Sequence, residues 1–199
     1  MKLQRFAEHR KMPWINGRGV THEVAAAQIG DAWDWRLSIA EVAEDGPFSV
    51  VPGVDRVLVV ATGNGMTLTI DGHSQKLARF EQVLFRGESE TIGELTNGSV
   101  YDLNLMVNRA SNIGKPLIEV KHVEKNQAIR LDSEGLLLAM VVLEGSIATD
   151  TAGDGFPFNP VKARASRLDA FFPTLDLKSK TTTLHAATNS VVAMVTLTE

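Results

Sequence analysis

The side chains best suited to chemistry in this 199-residue chain are polar groups set along one face of two apolar segments. In Asp34-Trp35-Arg36-Leu37-Ser38-Ile39-Ala40-Glu41-Val42, strand alternation sends Trp35, Leu37 and Ile39 to one side and Arg36 and Ser38 to the other. In Tyr101-Asp102-Leu103-Asn104-Leu105-Met106-Val107-Asn108 the same alternation sets Asp102 and Asn104 opposite Tyr101, Leu103 and Leu105. In a plain sandwich such a polar face looks into solvent. In a small barrel it lines the interior, where a buried charge must be matched. A bound carboxylate on Arg36 would match it, and so would an internal Arg36–Asp102 ion pair; the two are compatible.

A further arginine follows the turn Pro52-Gly53 in Phe48-Ser49-Val50-Val51-Pro52-Gly53-Val54-Asp55-Arg56. It stands either on the surface or at the mouth of whatever the next strand encloses. The segment Met12 to Val24 carries Asn16-Gly17 and Gly19 between a tryptophan and a strand, which suits a tight turn. It is not a phosphate loop, because no Lys-Ser/Thr pair closes it and no helix follows.

The elements that must position these groups are strands. Short alternating or continuously apolar runs recur between Gly, Asn, Asp and Pro, and no stretch keeps a 3.6-residue period over three turns. Val57–Ala61 and Leu136–Leu143 are continuously apolar, as buried strands are; Met66, Leu68 and Ile70 alternate with threonines, and Asp71-Gly72 supplies the next turn. Val57 to Gly63 and Ala139 to Gly145 share one form about 80 residues apart, as in a duplicated barrel. The strand pattern breaks at Asn108–Pro116, which divides the chain into 1–110 and 111–199. Asp150–Pro160 reads as a long loop pinned by Phe156 and Phe158.

Composition narrows the function. A net charge of −4 without long charged blocks offers no surface for nucleic acid. The absence of cysteine removes disulfides, thiolate ligands and a catalytic thiol. Charges fall where a signal peptide would need its apolar stretch, and no apolar run approaches the roughly 20 residues of a membrane span. A cytoplasmic protein with no membrane partner is expected.

Five blocks in one order, Trp14-x-Asn16-Gly17-x-Gly19-x-Thr21-x-Glu23, Trp35 to Ala40, Asp45 to Ser49, Pro52 to Arg56, and Tyr101-Asp102-Leu103-Asn104-Leu105-Met106-x-x-Arg109, resemble the HutD/Ves family. The likeness covers about residues 12–109. It departs at Arg18, where the family usually has glycine, and at His22, where it usually has arginine. The resemblance implies an all-β double cupin, a bicupin of two antiparallel barrels or jelly-roll-like sandwiches. It further implies a regulatory protein of histidine utilisation that binds a small anionic metabolite, with urocanate and N-formylglutamate as candidates. The matching residues Asn16, Thr21, Glu23, Arg36, Ser38, Arg56, Asp102, Asn104 and Arg109 are the expected ligand-binding set. Other readings are a cupin isomerase or lyase acting on a small polar metabolite, and a stress-associated protein of the Ves type. A homodimer is compatible with such a fold.

No metal and no cofactor are expected. The histidines His9, His22, His73, His122 and His185 lack the spacing that puts two imidazoles on one strand face. His22 beside Glu23 is the nearest thing to an acid/base pair, but neighbours on a strand point opposite ways, so catalysis is the less favoured reading.

Overall fold

A computed structural model describes residues 2–14, 17, 19–29, 32–132, 137–149, 164–173 and 181–198. Among them the regular elements are strands and two three-residue 3-10 turns, Phe6–Glu8 and Arg109–Ser111. Asp150–Pro160, expected to form a pinned loop, lies outside the described residues, as do Asn16 and Arg18. No helix among the described residues is long and apolar enough to cross a membrane.

Two compact units make up the chain, one of His9–Ile118 with Leu197–Glu199 and one of Met1–Glu8 with Glu119–Thr196. The division is interleaved at both ends of the chain. Lys2–Gln4 pairs antiparallel with Ala170–Phe172. Asp169, 5% exposed, accepts hydrogen bonds from the Phe6 amide and from Arg5, at 2.8 and 2.9 Å. A buried carboxylate met this way fixes the first residues to the later half of the chain.

In the His9–Ile118 unit, a six-stranded sheet runs in the order Arg10–Pro13, Gly19–Ile29, Ala32–Val42, Val100–Asn108, Val54–Val60, Gln82–Arg86. A four-stranded sheet of Gly46–Pro47, Thr91–Leu95, Met66–Ile70 and His73–Leu77 faces it. The core between them joins Val42, Leu58, Val60 and Val100 of the first sheet to Met66, Leu68 and Leu77 of the second. The sheets stay separate, so the architecture is a jelly-roll-like sandwich rather than a closed barrel. The continuous run Val57–Val60 lies mid-sheet with both faces covered, which is why it does not alternate.

The other unit repeats the plan. A five-stranded sheet ordered Lys2–Gln4, Ala170–Phe172, Leu137–Glu144, Ser190–Thr198, Lys115–Val123 accompanies a four-stranded one of Ala128–Asp132, Thr181–Ala186, Ile147–Thr149 and Arg164–Ala165. Its core includes Met140, Val142, Phe171, Leu184 and Val192.

Candidate functional site

Three central strands of the six-stranded sheet set the polar groups in rows. Across the ladder Met106 pairs with both Arg36 and Arg56, Asn104 with Ser38 and Leu58, and Asp102 with Ala40 and Val60. Residues paired directly across antiparallel strands share a face. All of these therefore project into the interior of the sandwich, while Leu37, Ile39, Leu103 and Leu105 take the opposite face and are fully buried. The alternation expected of both segments is present, and of the two placements open to the polar face the structure adopts the interior one.

Beyond the apolar core this interior opens into a cleft of about 580 Å³. Arg36, Ser38, Arg56, Asn104 and Thr21 supply its polar lining, and Met12, Trp14, Trp33, Phe48 and Met106 supply apolar walls. The size and the mix, a mostly apolar wall with a few convergent polar groups, are those of a small-molecule site.

Arg56 is the more deeply buried of the two arginines lining the cleft. It is 5% exposed, and its guanidinium carbon lies 5.2 Å from the Phe48 ring centroid and 5.1 Å from that of Phe85. Two aromatic faces hold the cation by its charge and its flat shape. Its Nε donates to Asn104 Oδ1 at 2.8 Å. Its two terminal nitrogens have no hydrogen-bond acceptor among the described residues. Burial pushes this guanidinium down to about 10, with Arg36 adding to the effect and Asp102 opposing it. It keeps its charge at neutral pH.

Behind Arg56 runs a buried relay. Asn104, 1% exposed, turns its carbonyl to the guanidinium, which can only donate, and its Nδ2 donates to Asp102 Oδ1. Asp102 has no exposure at all, and its Oδ2 has no hydrogen-bond partner among the described residues. Burial pushes its carboxyl up to about 7 against the opposing pull of Arg56, Asn104 and the Ala40 backbone.

The other candidates take varied places. Arg36 does not pair with Asp102; its Nε lies 3.2 Å from Glu23 Oε2, because Glu23 sits opposite Ser38 on the next strand and reaches the guanidinium at closer range. Glu23 thus serves Arg36. Thr21 lines the cleft and accepts a 2.8 Å hydrogen bond from the Trp14 indole. Gly19 makes room for that indole, since a Cβ there would meet the Trp14 ring at 3.0 Å and the Glu41 carbonyl at 2.3 Å. Arg109, expected in the ligand set, is not among the cleft-lining residues. It is held by the Val54 carbonyl at 2.7 Å, Asp55 at 3.2 Å and Glu88 at 2.5 Å, and so braces the Pro52–Asp55 turn from outside. Asp102 lies behind the lining rather than on it. His22 pairs across from Ile39 on the opposite face from Glu23's partner Ser38, so the two neighbours address different spaces.

Sequence reasoning missed the aromatic clamp. Phe48 follows Pro47, and Phe85 sits in the edge strand Gln82–Arg86 directly opposite Arg56. The signal available was Gly93 in the strand Thr91–Leu95, where a Cβ would stand 2.6 Å from Phe48 Cε2. Among the described residues no group of three or more His, Asp or Glu is arranged to hold a metal ion.

The HutD family model matches residues 6–192. The chain belongs to the HutD family. Over 109 residues it is 38% identical to an uncharacterised 21.2 kDa protein in the hutC 3′ region of Pseudomonas putida, a match covering 53% of this chain and 57% of that one. The matched stretch thus spans just over half the length of that curated relative. A solved structure of a conserved protein of unknown function from Pseudomonas aeruginosa PAO1 superposes with a TM-score of 0.76 at 27% identity, covering 100% of this chain and 98% of the other. A cupin 2 conserved barrel domain protein from Leptotrichia buccalis, 11% identical, matches 90% of this chain and 89% of its own with a TM-score of 0.58. This HutD-family chain has the double cupin fold.

Proposed function

We propose that this HutD-family protein is a receptor for a small carboxylate of histidine catabolism and acts by binding, as a regulator, rather than by catalysis. The observation that supports this reading is Arg56: a charge buried to 95%, clamped by two rings, with the donors of both terminal nitrogens uncommitted where the cleft begins. A carboxylate matches two such donors at once. Ser38 and Arg36 stand beside it on the same face, and Trp14, Trp33 and Met106 offer contact to the body of the ligand. Urocanate and N-formylglutamate are the candidates.

The test is thermal unfolding of protein shown to be free of carried-over ligand, with each compound at millimolar concentration. A ligand at about 100 times its Kd stabilises by about 2.7 kcal/mol, enough to raise the melting temperature by several degrees. Arg56→Ala abolishes the rise and Arg36→Ala reduces it. The absence of a shift with every small carboxylate tried would count against the receptor.

A further inference from the structure

Resting on the receptor reading, we propose that the site takes up a proton with its anion: a carboxylate bound at Arg56 drives protonation of Asp102 through Asn104. The chain of contacts has one cation at its open end and one carboxylate at its closed end. Arg56 Nε donates to Asn104 Oδ1, and Asn104 Nδ2 donates to Asp102 Oδ1. Asp102 Oδ2 has no hydrogen-bond partner among the described residues and no contact with water.

The charged groups around Asp102 are few. From the strand Val54–Val60 it lies opposite Val60, with Leu58 next and Arg56 one pair further along; from Ala32–Val42 it lies opposite Ala40, with Ser38 next and Arg36 one pair further along. From Gly19–Ile29, Thr21 stands beyond Ala40, and Glu23 beyond Ser38 is already engaged with Arg36. From the facing sheet, Met66, Leu68 and Leu77 are buried in this core and Ile70 and Leu95 pack against it. Arg56 is therefore the cation that holds Asp102 in its charged form, and burial works against that form.

An anion on the terminal nitrogens of Arg56 offsets the positive charge that Asp102 depends on. The carboxylate then takes one proton from solvent on Oδ2, while Oδ1 goes on accepting from Asn104. Both ends of Asn104 keep their partners before and after, so the relay needs no rearrangement. Linkage fixes the sign. Where binding takes up a proton, affinity is level at low pH, where Asp102 is protonated with or without ligand. It falls as pH rises above about 7, where the free site has lost its proton.

Isothermal titration calorimetry with N-formylglutamate tests this, because its carboxylates ionise near pH 4 and stay charged throughout. Titrations run at pH 6 to 8.5 in two amine buffers of different ionisation enthalpy. The expected result is a heat that depends on the buffer near pH 7.5, reporting a fraction of a proton taken up. Affinity then weakens with rising pH, by at most about tenfold per pH unit. Asp102→Asn, which fixes the neutral form, loses the buffer dependence and binds more tightly than wild type at pH 8.5. A purely structural Asp102 would instead give a variant weaker at every pH. Binding with equal heats in both buffers and a flat affinity in wild type overturns the proton linkage and leaves the receptor standing. No binding at any pH overturns the receptor and the linkage with it.

Discussion

Replacing Asp102 with asparagine tests the electrostatics of the interior even without a ligand. In the unfolded chain this carboxyl titrates at its ordinary value of 3.8, and in the fold burial pushes it up to about 7. Between those values the folded state binds more protons than the unfolded one. The group therefore costs nothing at acid pH and destabilises increasingly as pH rises from about 4 to about 7. Integrated over that gap, the cost is about 2 kcal/mol at pH 5 and about 4 kcal/mol at pH 8. Asp102→Asn removes this pH-dependent part. It also places an amide where Oδ2 had no hydrogen-bond partner among the described residues, at roughly 1–3 kcal/mol regardless of pH. The gain of the variant over wild type accordingly grows by roughly 2–3 kcal/mol from pH 5 to pH 8. Urea denaturation of ligand-free protein at the two pH values reads this difference directly. A gain that is equal at both, or smaller at pH 8, refutes a buried carboxyl whose charge the fold resists.

Gly93→Ala drives a Cβ to 2.6 Å from Phe48 Cε2, so the ring leaves the face of Arg56. Carboxylate affinity, read by calorimetry, falls by about tenfold, and unfolding free energy falls by about 1–3 kcal/mol from overpacking. Arg109→Ala frees Asp55 and Glu88 on the outer side of the turn, lowers the melting temperature slightly and changes carboxylate affinity by less than about threefold. A larger loss of affinity would place Arg109 in the site after all. With Arg109 removed, the Glu88 carboxyl, now held below its ordinary value first by that hydrogen bond, returns toward it, measurable by NMR titration.

The strand pattern made the fold legible because Arg36 and Ser38 alternate with Leu37 and Ile39, and Asp102 and Asn104 with Leu103 and Leu105, as the two faces of a sheet require. The continuous run at Val57–Val60 was equally plain, since only a strand covered on both faces dispenses with polar positions. Arg36, Ser38 and Asn104 could be named from sequence because they lie on alternating strands, whereas Arg56, beside a turn and a continuously apolar run, is singled out by the family resemblance. What alternation does not encode is distance across the sheet. It could not tell that Arg36 meets Glu23 rather than Asp102, a choice made by neighbouring strands and a β-bulge after Glu23. Nor could it place Arg109, which follows the strand Val100–Asn108 and opens the 3-10 turn Arg109–Ser111. Phe48 and Phe85 lie about 40 residues apart in sequence, and only the fold brings both ring centroids to 5.2 and 5.1 Å from one guanidinium carbon.

A crystal structure of the protein grown with N-formylglutamate or urocanate, beside one of Arg56→Ala under the same conditions, tests the receptor most directly. The carboxylate oxygens should lie about 2.7–2.9 Å from the two terminal nitrogens of Arg56, with the body of the molecule against Trp33 and Met106 and an empty cleft in the variant. Ligand seated equally well in both crystals, or a cleft holding only water in wild type, contradicts a carboxylate site built on Arg56.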